Sequence, residues 1–123
     1  MKAHSDGDKK WHRTFGRKGW HEEGHSVQQT SDGIYIIAGA KDTYKYFTDV
    51  YLIKTNSRGR KQWSRTFSCD ECNYGRSVQQ TRDGYIIVGY SELYGGYNRD
   101  VYLIKTDKRG NKEWESTPSV TLL

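Results

Sequence analysis

The sequence predicts an all-β protein: two four-stranded antiparallel propeller blades plus an N-terminal outer strand, closing into a ring by oligomerisation. Three observations carry that expectation. First, the chain repeats itself. HSVQQTSDGIYIIAG from His25 returns as RSVQQTRDGYIIVG from Arg76, and DVYLIKTNSRGRKQW from Asp49 returns as DVYLIKTDKRGNKEW from Asp100. Second, the period from Asp49 to Asp100, with four short strand-like segments and a Trp in each copy, suits a propeller blade. Third, the chain combines one Pro, ten Tyr and four Trp with no helix-period pattern.

The elements follow in chain order within a single domain, residues 1–123. An N-terminal outer strand is expected over 6–15, because Gly7-Asp8-Lys9-Lys10-Trp11-His12-Arg13-Thr14-Phe15 matches Gly59-Arg60-Lys61-Gln62-Trp63-Ser64-Arg65-Thr66-Phe67. Blade 1 spans 25–67 and blade 2 spans 76–118. Each opens with SVQQT (Ser26–Thr30, Ser77–Thr81), short and polar as an innermost strand beside a wet axis would be. An Asp-Gly turn follows, at Gly33 and at Gly84, where tolerance of positive φ suits a tight hairpin. The second strand is YIIAG or YIIVG and the third DVYLIKT. Both are apolar at successive positions, as in strands covered on two faces. The fourth begins near Trp63 or Trp114 and alternates, as an outer edge strand does. A sandwich would instead keep one polar face per strand. Pro118 stands where the earlier copies have Phe15 and Phe67. Either the N-terminal strand is redundant with Trp114–Thr117, or it passes to a neighbouring subunit.

Composition bears on assembly. Leu, Ile, Val and Phe are 21 of 123 residues, so Tyr and Trp must supply much of the apolar area. Mean hydropathy is −0.99, a thin core for this length. A two-blade unit that hides its flanks only on assembly fits that balance. No apolar run reaches the length of a membrane span, so no membrane partner is expected. Two Cys are too few for a disulfide framework and leave the compartment open.

The repeat itself separates structural from functional residues. Those present in both copies are explained by the blade: Trp11, Trp63 and Trp114, Asp49 and Asp100, Gly33 and Gly84, in lateral packing, turn capping and hairpin closure. Residues unique to one copy are freer to bind. Antiparallel order puts the longer segments Gly16–Gly24, Lys41–Thr48, Ser68–Gly75 and Tyr90–Arg99 on one face. Their aromatic and polar side chains Trp20, His21, Glu22, Tyr44, Tyr46, Tyr74, Tyr94 and Tyr97 are the candidate ligand-binding set. The alternative is that these rings pack against the adjacent blade or line the rim.

Other motifs are weaker. Cys69-Asp70-Glu71-Cys72 is a lone CxxC, open to free thiols, a local disulfide or a site shared with His21 and His25, whereas a strong zinc site has two such pairs. No nucleophile elbow, phosphate loop or HExxH appears, so no catalytic residue, metal or cofactor is expected and the chain does not read as an enzyme. The net charge of +5 comes partly from the turn residues Arg58, Arg60, Lys61, Lys108, Arg109 and Lys112. They form either a positive rim for an anionic surface or ordinary solvated turns. No nucleic-acid motif accompanies them, so nucleic acid is not an expected partner.

DGxYIIAG followed by DVYLIKTxxxGxxxW resembles the roughly fifty-residue repeats of bacterial and archaeal multi-blade propeller proteins, from Gly7 to Trp114. Gly110–Trp114 also resembles a quinoprotein docking motif, but the Asp107-to-Gly110 spacing is one residue short, so no quinone is implied. Those relatives hold six to eight blades in one polypeptide; this chain holds two. A second resemblance, of architecture alone, is to small lectins that assemble a propeller from two-blade subunits and bind sugar between blades. The expected function is therefore a non-catalytic, self-assembling scaffold or interaction platform. Its first partner is itself, as a tetramer of eight blades or, second, a trimer of six. The alternatives are a carbohydrate-binding propeller, a surface for another protein, or a fragment of a larger propeller.

Overall fold

A computed structural model describes residues 2–3, 9–11, 14–15, 21–44, 47–67, 72–92 and 99–116. The protein is all-β, with no helix among those residues. β1 (Lys2–Ala3) pairs with β2 (Lys9–Trp11) as a small antiparallel sheet. β3 (Glu22–Gln29), β4 (Tyr35–Tyr44), β5 (Phe47–Thr55) and β6 (Lys61–Phe67) form a four-stranded antiparallel meander. β7 (Cys72–Gln80), β8 (Gly84–Glu92), β9 (Arg99–Asp107) and β10 (Lys112–Ser116) form a second. In both, chain order is spatial order, so each copy of the repeat is one sheet.

The N-terminal segment lies apart from both meanders. Among the described residues β2 is paired only with β1 and joins neither four-stranded sheet. Within one chain the outer edges where it would fit are taken, β5 by β6 and β9 by β10.

The segments read as loops are shorter than expected, because strands continue into them. β3 and β7 begin at Glu22 and Cys72, several residues before SVQQT. The physical reason is a β-bulge repeated in both copies. Gly24 pairs with Gly39 and Ser26 with Ala38, leaving His25 as the extra residue; Gly75, Gly89, Ser77 and Val88 do the same around Arg76. A glycine that looks like loop punctuation here marks a bulge through which pairing resumes. At the far end β4 and β5 stay paired to Tyr44 and Phe47, with only residues 45–46 between them.

The Asp-Gly turns are not equivalent. Gly33 has φ 85°, as the hairpin reading requires, but Gly84 has no positive φ. Gly84 is the first residue of β8, and a Cβ there would lie 1.9 Å from the Thr106 carbonyl oxygen. Its role is close approach, not turn geometry. The extra residue Ile34 in the first copy changes the turn, with the Thr30 N–H bonding the Ile34 carbonyl. The second hairpins are true repeats. The Asn56 Oδ1 accepts the Arg58 and Arg60 N–H groups, and the Asp107 Oδ1 accepts those of Arg109 and Asn111.

The core lies between the two sheets. Strand alternation turns Ile36, Ala38, Val50, Leu52 and Phe67 to one side of the first sheet, where they meet Val78, Tyr85, Ile87, Tyr102 and Ile104 of the second. Trp63 packs against the same cluster. By the repeat, Val50 matches Val101 and Val78 matches Val27. The two sheets therefore present opposite faces to each other.

Candidate functional site

The joint between the sheets is built from a few specific contacts. Trp63 meets Tyr85 edge-on, with centroids 6.3 Å apart and planes at 61°. Arg65 lies over the other side of Trp63, 4.8 Å from its centroid, and its Nη2 donates to the Arg109 carbonyl at 2.7 Å. Lys54 reaches over the Tyr85 ring at 5.8 Å. Along the inner strands the Gln80 N–H donates to the Gln28 Oε1 at 2.8 Å, and the Ser31 N–H donates to the Gln80 Oε1 at 2.9 Å. The polar Gln pairs expected beside a wet axis thus stitch one sheet to the next.

Each buried partner has a copy on an outer face. Val78 is 5% exposed in the joint, whereas its copy Val27 is 64% exposed. Val50 is fully buried, whereas its copy Val101 is 52% exposed. Trp114, the copy of Trp63, is 47% exposed. Lys105, the copy of Lys54, pairs with Asp83 at 3.0 Å and Glu113 at 3.1 Å. Burial works against its charge, but these two carboxylates outweigh it and raise the Lys105 pKa.

The outer face of the first sheet is less open than expected. Tyr51 and Ile53 are already buried. Phe15 lines a recess of about 100 Å³ with Glu22, Gly24, Ile37, Tyr51 and Ile53, and Lys41 lies 4.9 Å from the Tyr51 ring centroid.

A cleft of about 220 Å³ opens between the sheets, lined by His21, Glu23, Ala40, Asp42, Thr48 and Tyr74. Two of the predicted ligand-binding residues, His21 and Tyr74, meet here from different copies of the repeat. Glu22 does not join them, because alternation along β3 turns it to the recess beside Phe15. Tyr44 ends β4 with its backbone alone described, as Trp11 is in β2. Trp20, Tyr46, Tyr94 and Tyr97 lie outside the described residues, as does Cys69. Glu23, which the sequence places on the same face as His21 and Glu22, lines both the cleft and the recess; Asp42 and Thr48 are the lining residues that sequence reasoning did not single out.

Tyr74 stacks on Tyr90 at 4.7 Å, and Arg76 lies over the far ring at 5.1 Å. The Glu23 carboxylate takes His21 Nε2 at 2.6 Å and lies 3.2 Å from His25 Nε2. The hydrogen bond and charge of Glu23 raise the His21 pKa, with a smaller push from Asp42; the same bond lowers that of Glu23. Among the described residues no group of three or more His, Cys, Asp or Glu is arranged to hold a metal ion. The cleft therefore offers acceptors, a hydroxyl and an aromatic face, which suits a polyhydroxylated or cationic guest. No family model matches the chain, and no curated protein does either.

Proposed function

We propose that this protein is a non-catalytic, self-assembling β-propeller module whose copies join head to tail into a ring that serves as a scaffold or interaction platform. The observation that carries this reading is the handedness of the internal joint. One face of the first repeat covers the opposite face of the second. The two faces left outside are thus repeat copies of the buried pair: Val101, Leu103 and Trp114 at one end are the copies of Val50, Leu52 and Trp63, and Val27, Tyr35 and Ile37 at the other are the copies of Val78, Tyr85 and Ile87. A contact that can be made once within the chain can be made again between chains. Such heterologous contacts end only when the rotation closes. Two-blade units give even blade numbers, with a tetramer of eight blades first and a trimer of six second.

Face-specific charges test it. Val27→Asp spoils one outer face and Val101→Asp the other. Each variant alone is expected to sediment as a monomer, and an equimolar mixture as a dimer and nothing larger, because only the two intact faces can meet. A mixture that stays monomeric, or variants that assemble as the parent does, contradicts the reading.

A second reading, carbohydrate binding, is favoured by the cleft that sets Glu23, Asp42 and Thr48 beside Tyr74. Carboxylates and a hydroxyl next to an aromatic face are the groups that hold a sugar by hydrogen bonds and stacking. A glycan array probed with the protein tests it.

A further inference from the structure

We infer that the N-terminal segment of one copy is the outer strand of a second copy's C-terminal sheet, displacing β10 from the edge of β9. This rests on the head-to-tail reading above and names the strand that locks it.

Phe15 supplies the first observation. It lines one recess on the outer face of the first sheet together with Ile37, Tyr51 and Ile53. Phe67, its counterpart in the repeat, clusters with Ile87, Tyr102 and Ile104, the counterparts of those three residues in the second sheet. Phe67 belongs to the outer strand of the sheet preceding the one it covers. Phe15 holds the same position relative to the first sheet, so it marks the outer strand of a sheet that would precede it. Among the described residues no such sheet precedes it; in a head-to-tail assembly that place falls to the second sheet of a neighbouring copy.

The second observation is the exposure of β10 and the residues it lacks. β6 runs seven residues to a buried Phe67, and Val50 opposite it is fully covered. The described residues of β10, Lys112–Ser116, are all exposed, and Val101 is half exposed where its copy Val50 is covered. β10 keeps the Trp of the motif but has Ser116 and Pro118 where β6 has Arg65 and Phe67. The N-terminal segment keeps all three, as Trp11, Arg13 and Phe15. Arg65 is what clamps Trp63 to the Arg109 carbonyl, and Phe67 is what fills the joint. Only one strand can hydrogen-bond to the edge of β9 that β10 holds, and the N-terminal one carries the set of residues that β6 uses.

The β5–β6 register sets the expected pairing. Leu52 stands opposite Arg65, so Leu103 would stand opposite Arg13 of the other copy, in the place Ser116 now holds. The test uses the full chain with Cys69→Ser and Cys72→Ser as background. One variant adds Arg13→Cys and Leu103→Cys; the other adds Ser116→Cys and Leu103→Cys. Both are treated with a short bis-maleimide after the native mass has been measured. Exchange predicts covalently joined chains on a denaturing gel from the first variant, and a reduced intrachain bridge from the second in the assembled fraction. If the particle is an oligomer yet the first variant yields only single chains while the second bridges fully, the exchange is wrong and the head-to-tail reading survives. If the particle is a monomer, both fall.

Discussion

Trp63 touches Tyr85 edge-on across the gap between the two sheets, the ring centroids 6.3 Å apart. Both residues recur in the repeat, as Trp114 on one outer face and Tyr35 on the other. One contact is thus made inside the chain, and the parts for a second are carried outside it.

The two tryptophans should respond differently to truncation. Trp63→Ala removes a ring packed on the core and held by Arg65. It is expected to cost about 3 kcal/mol of unfolding free energy, the lower end for a large aromatic because the ring is only partly buried. Trp114 is 47% exposed, so Trp114→Ala should change single-chain stability by less than about 1 kcal/mol. Urea unfolding of both variants at a concentration below assembly checks the contrast.

Gly110 is coupled to the same ring. It has φ 80°, and a Cβ there would lie 2.6 Å from the Trp63 Cζ3. Gly110→Ala should therefore cost about 2 kcal/mol through backbone strain and displacement of the indole. A matching change in Trp fluorescence would place the damage at the joint, and an unchanged midpoint in urea would contradict the geometry.

Much of this architecture was legible from the chain. The strand segments, both turn positions and the division into two sheets follow from the repeat, because a 51-residue period forces the same local structure twice. The cleft was only half visible. His21 and Tyr74 could be placed on one side by strand direction, but Gly24 and Gly75 read as loop residues hid the bulges and the strand starts before them. That concealed Asp42 and Thr48, whose convergence with Glu23 depends on alternation beyond the bulge. The burial of Tyr51 and its sharing of a recess with Phe15 were also invisible, since no repeat copy places Phe15 relative to the first sheet.

The His21–Glu23 pair gives a pH dependence. Glu23 raises the His21 pKa above 6.5, and His21 lowers that of Glu23 below 4.5. The histidine's contribution is present below its unfolded pKa and fades as pH rises through the raised value. The carboxylate's is present above its unfolded pKa and fades as pH falls through the lowered one. Their combined contribution is therefore greatest near about pH 5–6, and small, since both side chains are largely exposed. In an NMR titration the His21 midpoint should lie above 6.5 and return toward it in Glu23→Gln; a midpoint unchanged by that substitution would show that the pair does not form.

Binding in the cleft, if sugar is the guest, depends on Tyr74. Tyr74→Ala removes one ring of the stack with Tyr90 and one wall of the cleft. Any glycan retained by the parent should bind at least tenfold more weakly to this variant. Equal retention would place sugar recognition elsewhere or nowhere.

Native mass spectrometry of the unmodified chain is the most direct measurement of the central claim, that the exposed faces are lids for one another. A discrete particle of four times 14.3 kDa, or failing that three times, is the result expected. A single species at 14.3 kDa across micromolar concentrations would mean that one chain covers its own flanks, and the ring would not exist.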